Sequence, residues 1–122
     1  RSHILIWAAK QAIKIDGDFV ECGVHWGFLS KVICDYTNFE QFKNKKFYLI
    51  DNWGNPKEEI FDLKTKYNKD ILGKVKERFE KYPNVNFIRG NVPEILNEII
   101  VKKIALLLLL PGIKKPLESP IL

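Results

Sequence analysis

Four short apolar runs, residues 19–22, 46–51, 85–89 and 103–110, constrain the fold of this 122-residue chain more than any other feature. Each reads as a strand, and amphipathic segments separate them. Residues 3–14 place Ile4, Trp7, Ala8 and Ile13 at spacings close to helical, with Trp7 expected in the core. Residues 27–36 carry Phe28, Leu29, Val32 and Ile33 on one helical face, and residues 70–82 set Ile71, Val75 and Phe79 four positions apart. A helical turn is expected around Phe39 and Phe42, a short helix within 58–66, and another over 94–100 opened by Pro93. Asp16-Gly17, residues 52–56, Pro83-Asn84 and Gly90-Asn91 carry turn chemistry between these segments.

Strands that alternate with helices build a parallel sheet through right-handed crossovers. The expectation is therefore an α/β fold, a Rossmann-like three-layer α/β/α arrangement with a mostly parallel sheet, about the first four strands of which lie in this chain. The unbroken aliphatics of 104–110, within the strand expected over 103–110, predict a strand covered on both faces. Residues 1–122 read as a single, partial domain, and 111–122 as an irregular tail, since Pro116 and Pro120 would break a helix there. The chain opens on Arg1 and contains no methionine, so it reads as a piece of a longer protein.

Charge and cysteine content narrow the function classes. The formal net charge is +5. From Lys57 to Lys81 the basic residues are interleaved with Glu58, Glu59, Asp62, Asp70, Glu77 and Glu80, as on solvated helix faces. Only Lys43, Lys45 and Lys46 cluster, which is too sparse for a dedicated nucleic-acid surface, so no nucleic-acid partner is expected. Cys22 and Cys34 have neither CxxC nor His/Cys spacing and read as buried free thiols of a reducing compartment. The longest apolar stretch, 104–110, is far below the roughly 20 residues of a membrane-spanning helix. A cytoplasmic protein without a membrane partner is the expectation.

In an open α/β sheet, ligands bind beyond the C-terminal ends of the strands. Those ends hold the unusual residues of this chain. The first run ends Glu21-Cys22-Gly23, with Gly27 opening the next helix; the second ends Asp51-Asn52-Trp53; the third is followed by Gly90-Asn91-Val92. Gly23 permits a sharp turn and close ligand approach. An acid about 20 residues beyond the glycines can accept both hydroxyls of a ribose, and Asp51 stands near that interval. The turn lacks the GxGxxG of a dinucleotide site, and Glu21 would lie close to a pyrophosphate's charge. A nucleoside with a cationic amino-acid end suits these carboxylates better, and S-adenosylmethionine is such a molecule.

The blocks GDFVECGVHWG, FYLIDNWGNP, VNFIRGNVPEIL and IALLLLL, in that order, resemble the macrocin O-methyltransferase family. Its members are class I S-adenosylmethionine-dependent enzymes that methylate hydroxyls on sugars of natural products. The resemblance implies that Glu21, Gly23 and Gly27 line the methionine portion of the cofactor, with Val24 in the same turn. It implies that Asp51 holds the ribose, flanked by Asn52 and Trp53, and that Gly90, Asn91 and Val92 border the adenine. It also implies a small-molecule acceptor. Two departures stand out. Phe28 occupies a position where the family carries a small residue. The fourth strand tip reads Leu109-Leu110-Pro111-Gly112, without the acidic pair that supports a divalent metal in the intact family.

The expected activity is that of the cofactor-binding half of an O-methyltransferase; the alternative is a non-catalytic Rossmann-like ligand-binding or interaction module. A nicotinamide-dependent oxidoreductase is a third, weaker alternative. His25 reads as a turn residue rather than a base, and no residue stands out as catalytic. Trp26 and Trp53 read equally as cofactor cover or as packing. A fourth strand left at the sheet edge would expose its leucines, which is compatible with a homo-oligomer.

Overall fold

The computed structural model describes residues 2–53, 71–91, 95 and 103–109. Helix α1 spans Ser2–Ala12, strand β1 Asp18–Cys22, helix α2 Phe28–Thr37, strand β2 Phe47–Asp51, helix α3 Ile71–Arg78, strand β3 Val85–Arg89 and strand β4 Ile104–Leu109. One 3-10 turn, Phe39–Gln41, lies between α2 and β2. The expectations for 58–66, for most of 94–100, and for 111–122 fall outside the described residues.

All three strand pairings are parallel, and the spatial order is β3-β2-β1-β4. The chain thus adds strands on one side of β1, then crosses to the other side for β4. That reversal puts a switch point between the C-terminal ends of β1 and β4, where open α/β sheets bind ligands. The Rossmann-like α/β class expected from the alternation of elements is what the chain forms.

The described helices cover one face of the sheet. Phe19 of β1, Phe47 and Leu49 of β2 and Val85 of β3 form a continuous core with Ala9 and Ala12 of α1, Ile33 and Cys34 of α2, and Val75 of α3. Phe19, Phe39 and Phe47 meet with ring centroids 5.3–5.6 Å apart, in the tilted and edge-on geometries that aromatic quadrupoles favour. On the opposite face, Val20, Cys22 and Ile50 pack with Tyr48, Ile88 and Ile95. Period-two alternation along β1 and β2 separates the two sets.

Several side chains face differently from expectation. Trp7 is 64% exposed. The buried stripe of α1 is instead Ala9 and Ala12, with Leu5 and Ile13 against the same core. Small residues let that helix lie close to the sheet, so the large Trp7 and Ile4 are left outside. On α2 the buried positions are Ser30, Ile33, Cys34 and Thr37, whereas Phe28 is exposed and lies under the Arg78 guanidinium, 4.5 Å from its ring centroid. Strand β4 is the edge of the described sheet, and Ile104, Leu107 and Leu109 are exposed rather than covered.

Two polar residues organise the connections. Lys45 is buried, and its Nζ donates to the carbonyls of Ile15 at 2.6 Å and Gly17 at 2.7 Å while lying over the Phe19 ring. Desolvation holds its pKa below the ordinary lysine value. The lysine cluster of the sequence is therefore partly a structural clamp. Asn84 donates its side-chain amide to the carbonyls of Phe39, Phe42 and Lys45 at 2.9, 3.1 and 3.2 Å, and so ties the 3-10 turn to the start of β3.

Candidate functional site

Parallel pairing in register carries the tips of β1, β2 and β3 to one rim. Cys22 lies opposite Ile50, the Gly23 N–H extends that ladder to the Ile50 carbonyl at 2.9 Å, and Asp51 lies opposite Arg89. The Gly90 N–H then donates to the Asp51 carbonyl at 3.0 Å. Gly23, Asp51, Asn52, Gly90 and Asn91 thus share a rim, with Glu21 one register step inside it opposite Leu49, and the Asn52 amide reaches the Asn91 side-chain oxygen at 2.6 Å. Val24 and Trp53 belong to the buried core beneath it. Val92 lies outside the described residues.

The turn between β1 and α2 winds through left-handed backbone at alternate residues, with φ of 85° at Gly23, 56° at His25 and 81° at Gly27. Glycine meets that demand at no steric cost. At Gly27 packing makes the requirement stricter, because an added Cβ would stand 3.1 Å from Cε2 of Phe79 and 3.4 Å from Cγ1 of Val75. His25 and Trp53, at φ 49°, adopt the same region without being glycine, at a cost of about 1–2 kcal/mol each.

Asp51 holds that unusual backbone in place. Its Oδ2 accepts from the His25 N–H at 2.6 Å, its Oδ1 from the Trp53 N–H at 3.0 Å, and the Trp53 indole donates to the His25 carbonyl at 2.9 Å. The two loops are clasped by a closed set of charge-assisted and neutral hydrogen bonds. Arg89 adds a bond from its guanidinium to the Trp53 carbonyl at 3.2 Å. Of the two roles open for Trp53, packing is the one these contacts describe.

Glu21 is different in kind. It is 1% exposed, on the sheet face that meets α2. Ser30 Oγ donates to one carboxylate oxygen, and the other, Oε2, is buried without a hydrogen-bond partner. Burial raises its pKa from 4.5 to about 7; the Ser30 bond opposes the rise and the Asp51 charge adds to it. A buried acceptor with nothing to accept from is costly and rare. A hydrogen-bond donor, a cationic one above all, would satisfy it.

Ser30 was not legible as a site residue. The available signal is its spacing: positions 30, 33, 34 and 37 form a single helical stripe, and a serine on a buried stripe needs a polar partner. Cys22 and Cys34 are buried free thiols, and desolvation raises both pKa values. Among the described residues, no group of three or more His, Cys, Asp or Glu gathers in a way that would hold a metal. No described helix is long and apolar enough to cross a membrane.

No family model matches the chain, and no curated protein matches it. Among solved structures it is similar to the apo structure of CalS11, a TDP-rhamnose 3'-O-methyltransferase of calicheamicin biosynthesis. The TM-score is 0.51 at 15% identity, over 80% of this chain and 43% of that one. The chain therefore shares a fold with an enzyme that methylates a sugar, and spans less than half of that enzyme's length.

Proposed function

We propose that this chain is the cofactor-binding half of an S-adenosylmethionine-dependent O-methyltransferase of the macrocin type, acting on a hydroxyl of a sugar or another natural-product small molecule. The observation that carries the reading is the buried Glu21 carboxylate with its unpartnered oxygen, set at the tip of β1 beside the Gly23–Gly27 turn. The shared fold with a sugar O-methyltransferase supports it at the level of architecture.

In this reading Glu21 receives the ammonium of the methionine portion, against Gly23 and Gly27. Asp51 keeps lone pairs on both oxygens beyond its two backbone donors, and these accept the ribose hydroxyls. Asn52 and Asn91, already joined across the rim, border the base together with Gly90. Bound S-adenosylmethionine supplies an electrophilic methyl group on a sulfonium. The protein's contribution is to hold donor and acceptor oxygen close and in line, which accounts for a large share of such a barrier.

Calorimetric titration with S-adenosylhomocysteine tests the proposal. Saturable binding that NAD does not compete away is the expected result, and an absence of binding ends the reading. The alternative, a non-catalytic Rossmann-like module, draws support from Asp51, whose two oxygens already serve backbone N–H groups. Asp51→Asn separates the two: weakened nucleoside binding in a folded protein favours the cofactor site, and unchanged binding leaves Asp51 as a brace alone.

A further inference from the structure

Glu21 is enclosed between the sheet and α2. Leu108 of β4 and Leu49 of β2 stand beside it in register, and α2 closes over it with Ser30 and Cys34, both buried. Of the charged groups nearby, Asp51 is repulsive, and Lys31, next to Ser30 on α2, is engaged by Asp35 at 3.0 Å. Among the described residues no lysine or arginine pairs with Glu21. The Ser30 hydroxyl is the donor that fixes which of its two oxygens is spent.

We propose that Ser30 is the positioning residue of this site: by occupying one Glu21 oxygen from inside α2 it leaves the other, buried and unpartnered, for the cationic end of the ligand. The inference rests on the reading of the rim as an S-adenosylmethionine site. Its physical basis is that, among the described residues, no lysine or arginine pairs with Glu21. Without a ligand, the buried carboxylate is stabilised either by Ser30 or by a proton, and desolvation with Asp51 favours the proton. An ammonium group replaces that proton, so binding and deprotonation are linked. The Ser30 bond favours the charged form and eases the exchange.

The test compares two nucleosides on the whole chain, S-adenosylhomocysteine and 5'-methylthioadenosine, which lacks the amino-acid end. Affinity for S-adenosylhomocysteine should rise roughly tenfold per pH unit below the Glu21 pKa and level off above it, while methylthioadenosine stays flat. Ser30→Ala should move the levelling point to higher pH and weaken S-adenosylhomocysteine roughly tenfold at pH ~7, sparing methylthioadenosine; Ser30→Thr, which keeps the hydroxyl, should restore it. Glu21→Gln, which keeps the shape, should abolish the pH dependence. Equal weakening of both nucleosides by Ser30→Ala overturns the inference and leaves the site reading intact. So does a Glu21→Gln chain that keeps the wild-type pH profile. A wild-type chain that binds neither nucleoside overturns both.

Discussion

The tips of β1 and β2 look alike in sequence, an apolar run closing on an acid, and they do opposite things in the structure. At β2, Asp51 is partly exposed and accepts from two backbone N–H groups, so the carboxylate stabilises the loops around it. At β1, Glu21 is buried, and one of its oxygens is satisfied by Ser30 while the other has no partner. One acid supports the rim; the other is held at a cost to folding. Residues that cost stability where a ligand would bind are the ones with a reason to be there besides folding.

That contrast can be broken from either side. The largest effect is expected from Asp51→Ala, which leaves the His25 and Trp53 N–H groups without acceptors and both residues in left-handed backbone. A loss of about 3–4 kcal/mol in urea unfolding is the expected outcome; a loss below about 1 kcal/mol would show that water replaces the clasp.

Glu21 should leave its mark in pH dependence. Its unfolded form ionises near 4.5 and its folded form near 7, so the folded chain binds the proton more tightly. Stability therefore falls as pH rises through that window, by about 3 kcal/mol in total, and is flat in this term above it. Glu21→Gln should remove this fall, which parallel denaturation series at pH 5 and pH 8 would reveal. Ser30→Ala should cost about 2 kcal/mol at pH ~8, where the carboxylate is charged and loses its donor, and less at pH ~5. The smallest effect belongs to Trp53→Phe, which keeps most of the ring and deletes the indole bond to His25; about 1 kcal/mol is expected, read from the thermal midpoint.

The strands were legible because their runs are short and bounded by turn residues; β3 begins at Val85 and ends at Arg89 as its pattern predicts. The helix faces were less so. Trp7 and Phe28 are large and apolar, yet close helix–sheet approach is made by Ala9, Ala12, Ser30 and Cys34. The two strand-tip acids were visible as candidates, whereas their division of labour was not. It depends on the φ of His25 and on which α2 residue points inward, and neither is a property of residue type. The edge position of β4 depends on strand order, which an alternating pattern of strands and helices leaves open.

Asn84 carries a consequence for the lifetime of the fold. Its amide nitrogen is the donor shared by three carbonyls that hold the 3-10 turn and the approach to β2. Spontaneous deamidation would replace that nitrogen with an anionic oxygen facing three oxygens, converting an attraction into a repulsion at the centre of the connection. Chemical ageing at this one side chain would loosen the entry to β2, and with it the strand that carries Asp51.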